Sequence, residues 1–353
     1  MCKGMGVMEN NYDIFDELKP NDNTQLSNYQ GYDLIDLIEL LKGYYLEYRS
    51  KLNFRNKASI GCEIEYDNPK EELLVPVKDE DTEYKPGWLL REDGSLDNGG
   101  EIISPIFFNN IDSWKHFKET INTLENKVEI NENCGAHVHI GAQLMGPKPI
   151  SWNNFLRLWS SYENVIYRFA FGEYINARTT MYRYAQPIAH DIDVYFAKIR
   201  ECYGKYYNYD KLMPFDEYYF NKSLNSTRRN GINFRNVSSY DKFEDYNTIE
   251  FRIANGTINP IIWQNLVNLY VSLIRYAKND LFNLDTVLKR KQDKAIRYLK
   301  PVDFTNLYYD QAIELADLIF NKNIDKIYFL RQYIKDGEKT YHSELVKSRK
   351  FTV

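Results

Sequence analysis

The sequence predicts an α+β fold built on an antiparallel or mixed sheet. Three observations carry that expectation. Helix-spaced apolar residues are interleaved with β-type runs instead of forming separate blocks. Three of those runs hold polar residues at i and i+2, which places both side chains on one face of a strand. From Pro260 to about Lys335 the pattern is almost wholly helical. No internal repeat is evident.

The three runs are Ile60–Tyr66 with Glu63 and Glu65, Cys134–Ile140 with His137 and His139, and Thr248–Ile253 with Glu250 and Arg252. If their apolar residues pack on a core, the other sheet face gathers carboxylates, imidazoles and a guanidinium. An exposed sheet face accounts for any one pair alone. Asn233 and Arg235 repeat the arrangement on the preceding run.

Taken in order, residues 1 to about 30 are polar and Asn-rich, and are expected to be a poorly ordered lead-in. Leu34, Leu37, Ile38, Leu41 and Tyr45 predict an amphipathic helix from Tyr32 to about Lys51. Ala58–Tyr66 is the first charged strand, and the Glu- and Asp-rich stretch Asn68–Pro86 reads as a solvated loop. Trp88–Arg91 predicts a strand ending in the turn Glu92–Ser95. Gly99 restarts a strand that Pro105 closes. A helix is expected from Asn110 to about Asn126, with Asp112 as its cap, followed by the histidine strand Ala136–Gly141. Helices over Ser151–Gly172 and Asp191–Tyr203 flank a basic, aromatic segment, Arg178–Tyr184. Two strands, Gly231–Val237 and Thr248–Ala254, precede the helical region.

The 353 residues carry a net charge of −5, which argues against a broad nucleic-acid footprint. The 30 Tyr and 19 Phe supply core and suit a cleft wall. The four cysteines show no CxxC spacing, and Cys62 and Cys134 read as small buried thiols. No apolar run approaches the ~18 residues of a membrane span, and residues 1–11 lack the apolar core of a signal peptide. A cytoplasmic setting is therefore expected.

Two carboxylates on one strand face repel unless a cation or an arginine neutralises them. Glu63, Glu65 and Glu101 outnumber the imidazoles, which favours Mg²⁺ or Mn²⁺ over zinc. A zinc hydrolase on His137 and His139 needs further histidines, and only His116, His190 and His342 remain. Arg252 has the planar fork suited to phosphate. Arg178 and Arg183 are basic residues that a carboxylate or phosphate would meet, Arg178 being also readable as simply solvated. No GxxxxGK[ST] loop is present.

The ordered set is Gly61-x-Glu63-x-Glu65, Asp93-Gly94-Ser95 with Glu101 opening a strand that Ser104-Pro105 closes, the Cys134–Ile140 run, a basic region, and Thr248–Arg252 with Gly256-Thr257 nearby. It resembles the amidoligase family of carboxylate–amine ligases over about residues 60–257. The resemblance implies a curved, largely antiparallel, glutamine-synthetase-like sheet holding ATP and divalent ions. It implies that Glu63, Glu65, Glu101, His137 and Glu250 face the metal, and that His139, Arg235 and Arg252 face the nucleotide. It further implies that Asp93 assists the amine, and that Arg183 and Arg178 meet substrate. The matching domain organisation is a lead-in and helix over 1–56, the catalytic domain over 57–259, and a helical extension over 260–353 packed upon it. The expected partners are ATP with a carboxylate and an amine substrate, either of them a peptide or protein; neither membrane nor nucleic acid is expected. A phosphotransferase of the same fold and a non-catalytic binding module are the alternatives.

Overall fold

The computed structural model describes residues 18–55, 57–70, 75–78, 80–96, 98–204, 218–240, 242–290 and 295–335. Its centre is an antiparallel sheet of 8 strands. The strands are β1 (Ser59–Asp67), β2 (Thr82–Lys85), β3 (Trp88–Glu92), β4 (Gly99–Ile103), β5 (Phe107–Phe108), β6 (Gly135–Gly141), β7 (Ile232–Asn233) and β8 (Thr248–Asn255). They lie in the order β2-β3-β4-β1-β6-β8-β7, with β5 paired to the start of β1. The first motif strand thus becomes the middle of the sheet, with the histidine strand directly beside it.

The helices are α1 (Tyr32–Gly43), α2 (Ile111–Asn122), α3 (Pro149–Ala170), α4 (Met181–Tyr184), α5 (Ala189–Tyr203), α6 (Tyr218–Ser223), α7 (Pro260–Ala277), α8 (Leu284–Leu288), α9 (Pro301–Ile319) and α10 (Asn323–Ile334). Period-2 alternation explains the sheet's two faces. Ile60, Cys62, Ile64 and Tyr66 of β1, Val138 and Ile140 of β6, and Ile249 and Phe251 of β8 are all buried apolar residues of one core. Covering them are α2, α3 and α7, whose rings lock onto the strands: Phe251 stacks on Tyr270 at 4.0 Å and sits 6.0 Å from Trp159. Helix α7 is buried at all positions but Arg275; its polar Gln264, Asn265 and Asn268 hydrogen-bond to Arg49, Gln332 and Asp325. Beyond it, α9 and α10 form an outer layer, with Phe329 stacked on Phe169 at 4.8 Å.

Several expectations need correction. The lead-in is ordered from Leu18 onward; Leu18 and Leu26 are buried, and Thr24 donates its backbone N–H to Asn323 Oδ1 at 2.7 Å. Residues 1–17 and His342 lie outside the described residues. The first helix stops at Gly43, because the chain must turn to bury Leu46 against Ile261 and Tyr328, and Tyr45 is left exposed. Asn110, not Asp112, caps α2 by accepting from the Ser113 N–H at 2.9 Å. Part of the predicted loop 68–86 is the edge strand β2, which pairs with β3. The strand expected over Gly231–Val237 is only Ile232–Asn233. There the Arg235 N–H donates to Asn233 Oδ1 at 3.0 Å, a local turn that ends the ladder.

Candidate active site

Pairing register sets the site. Glu63 lies opposite His137, Glu65 opposite Glu101, and His139 opposite Glu250. Strand β8 carries an irregularity opposite His137, since Val138 pairs with Phe251 but Ala136 pairs with Ala254. The extra residue lies between Phe251 and Ala254, so the ladder beyond Arg252 is offset by one residue.

Glu63 is the hub. Its Oε2 lies 2.8 Å from His137 Nδ1 and its Oε1 lies 3.0 Å from His139 Nε2. Burial alone pushes this carboxyl up, yet the two imidazoles hold it well below the usual carboxylate range. Glu65, 2% exposed, meets His137 Nε2 at 3.1 Å and Arg178 Nη1 at 3.3 Å, and accepts from the Gly135 N–H. Those positive neighbours outweigh its burial and hold it down at about 2. Glu101 goes the other way: burial and then the charge of Glu63 push it up to about 8, with Arg91 only as near as 3.7 Å. Burial and Arg252 press His137 down, but Glu65 and Glu63 raise it to about 9. Burial opposes a charge on His139 as well, and Glu63 and Glu250 raise it nonetheless. Glu250 accepts from Asn233 Nδ2 at 2.6 Å and from Arg252 Nη1.

Seven of the expected residues therefore share one face: Glu63, Glu65, Glu101, His137, His139, Glu250 and Arg252. Arg178 does not fit the solvated reading. It is 2% exposed, bonded to Glu65 and to the carbonyls of Asn133 and Arg252. Its position depends on Gly135, where a Cβ would lie 2.4 Å from Arg178 Nη1. The role that the chain evidences for Arg178 is thus to brace Glu65. Asp93 caps its own turn, accepting from the Ser95 N–H at 2.7 Å, and its charge is felt at Glu101. Arg183 and Arg235 are exposed; Arg183 lies 5.0 Å from the Tyr184 ring. Sequence reasoning missed Thr248, which holds His139 Nδ1 at 3.1 Å, and Asn255, which holds the Arg178 N–H at 2.8 Å.

Two donor sets fit a cation. Glu63, Glu101 and His137 offer ligand atoms within 4.8 Å of one another, and so do Glu63, His139 and Glu250. Each set is two carboxylates and one imidazole, the composition that suits a hard ion better than zinc. His137 Nε2 is buried without an aligned hydrogen bond, despite its nearness to Glu65. His116 belongs elsewhere, taking the Trp88 indole N–H at 3.1 Å.

No helix among the described residues is long and apolar enough to cross a membrane. No curated protein and no solved structure matches the chain. The family described as "Putative amidoligase enzyme" matches residues 78–274, from just before β2 into α7. That span takes in Glu101, His137, His139, Arg178, Glu250 and Arg252, and begins after Glu63 and Glu65. It covers more than half of the sequence, and the chain belongs to this amidoligase family.

Proposed function

We propose that the chain is an ATP-dependent carboxylate–amine ligase with a glutamine-synthetase-like sheet. It would join the two substrates through an acyl phosphate into an amide or isopeptide bond. The observation that supports this best is the sharing of Glu63 between two carboxylate–imidazole sets, with Arg252 at their edge. Glu63, Glu101 and His137 would hold one Mg²⁺ or Mn²⁺, and Glu63, His139 and Glu250 a second. When bound, these ions would neutralise the phosphates of ATP.

The chain's own groups have separate tasks in this reading. Arg252, partly exposed at the rim, faces the transferred phosphoryl group with its guanidinium. A substrate carboxylate oxygen attacks the γ-phosphorus and ADP leaves. The amine nitrogen then attacks the acyl carbon, inorganic phosphate leaves, and one amine proton is lost. Asp93, whose charge reaches Glu101, would accept that proton in this reading. Arg178 acts through Glu65, keeping its carboxylate ionised and fixed.

The test is ADP release with Mg²⁺ over paired carboxylates and amines, with Glu250→Gln as control. Amine-dependent ADP release that the control loses is expected. ADP release with a stable phosphorylated product and no need for an amine would favour the phosphotransferase. No Mg²⁺ or Mn²⁺ binding would overturn the catalytic reading.

A further inference from the structure

We infer that a cavity beside the sheet site binds an acidic polypeptide segment, so that the substrate is a carboxylate-rich chain and not a free amino acid. The substrate assignment rests on the ligase reading above; the binding claim stands on the cavity itself. The cavity has a volume of about 1100 Å³ between α3, α5 and the residues following α7. That exceeds what a free amino acid fills, since pockets for whole drug-sized ligands run from roughly 300 to 1,000 Å³.

Its lining is cationic. Arg157, Arg200, Arg290 and Arg297 face it, against the carboxylates of Glu163 and Asp193. In a chain of net charge −5 this is a local reversal of sign. The guanidiniums of Arg157 and Arg290 are held in place. Arg157 lies 4.0 Å from the Phe196 ring centroid, and Arg290 is paired bidentately with Glu314, through Nε at 2.9 Å and through Nη2, which leaves the surplus positive charge to Arg157, Arg200 and Arg297. Arg200 and Arg297 are exposed. Glu163 is turned to the backbone, accepting from the Ile188 N–H at 2.7 Å and from Ala189 at 3.1 Å.

The cavity and the sheet site share a wall. Tyr182 and Gln186 line the cavity, while between them the Tyr184 carbonyl accepts from Arg252 Nε at 3.4 Å. Arg183 and Arg229 lie 5.0 and 6.0 Å from the Tyr184 ring. Residues 182–186 thus border both the cavity and Arg252, with two further guanidiniums at Tyr184. Arginine forks match carboxylates in geometry as well as charge. A chain with carboxylates along its length would lie in the cavity and present one of them at the sheet. The overall acidity of the protein disfavours a nucleic acid in the same place.

The experiment is fluorescence anisotropy of the full chain with labelled octaglutamate, set against octalysine, an oligothymidylate and polyphosphate. The same titrations are made on the double variant Arg200→Glu, Arg297→Glu, whose sites are exposed. Octaglutamate is expected to bind in a salt-sensitive manner and to lose about tenfold or more in affinity in the variant. Absence of octaglutamate binding, equal affinity in the variant, or tighter binding of the oligothymidylate or polyphosphate would overturn the inference. ADP release, measured separately with octaglutamate as the acid and a set of amines, should fall in the variant at low octaglutamate and recover towards saturation. Its absence with every amine while octaglutamate still binds would count against the ligase reading and leave the cavity's ligand assigned.

Discussion

Two groups of buried charges in this molecule follow opposite rules. Where residues 22–27 and Arg49 meet α9 and α10, two buried carboxylates each hold one cation. Lys326 and Asp317 pair at 2.7 Å with side chains 0% and 1% exposed, and Arg49 meets Asp325 at 2.6 Å. The remaining carboxylate oxygens are also satisfied: Asp317 accepts from the N–H groups of Leu26 and Ser27, and Asp325 from Asn53 and Asn268. On the polar sheet face, four carboxylates (Glu63, Glu65, Glu101 and Glu250) meet two buried or half-buried guanidiniums among the described residues, those of Arg178 and Arg252, while the exposed Arg91 stands 3.7 Å from Glu101. The balance falls to protons on His137, raised to about 9, and Glu101, raised to about 8. An ion network in which every carboxylate holds a cation fastens chain segments together. One that borrows protons near neutrality has the charge balance that the proposed cation sites require.

The contrast breaks most sharply at Glu101. Glu101→Gln is expected to lower turnover by about 10³-fold, the loss typical of removing a group that stabilises developing charge. In metal-free buffer at alkaline pH its Tm should stay equal or rise, because the neutral amide relieves repulsion from Glu63. A collapse in Tm would make the sheet cluster structural. Lys326→Met should do the reverse. It strands Asp317 without a cationic partner and is expected to remove roughly 3–5 kcal/mol of stability in urea unfolding. The folded fraction should keep its kcat; a kcat loss without destabilisation would erase the distinction.

The smallest effect concerns Glu163, a buried carboxyl outside both networks, pushed by burial up to about 7. Its folded pKa is raised, so its contribution to stability is complete below about 4.5 and declines as pH rises through about 7. Glu163→Gln should flatten the stability–pH curve between about pH 4 and 8. An unchanged slope in denaturant melts at several pH values would show that its N–H donors hold it ionised.

Much of the sheet was legible because period-2 alternation is a local property. Glu63, Glu65, His137, His139, Glu250 and Arg252 were placed on one face by spacing alone, and antiparallel pairing brought them into line. What stayed hidden depends on distance or on single bonds. Arg178 finds Glu65 across 113 positions, beside a glycine whose missing Cβ makes the room. One turn at Asn233 cut β7 to two residues and sent Arg235 outward. Asp112 and Asn110 both qualify as caps in the sequence, and only the Asn110 side chain reaches Ser113.

The tie between Thr24 and Asn323, 299 positions apart, bears on how the polypeptide matures during translation. Synthesis runs from the N-terminus, so Leu26 emerges long before α9 and α10 exist to cover it. Lys326, within α10, clasps the Thr24 carbonyl at 2.6 Å. Docking of residues 24–26 therefore waits until about 300 further residues have been synthesised, and is among the late steps of folding.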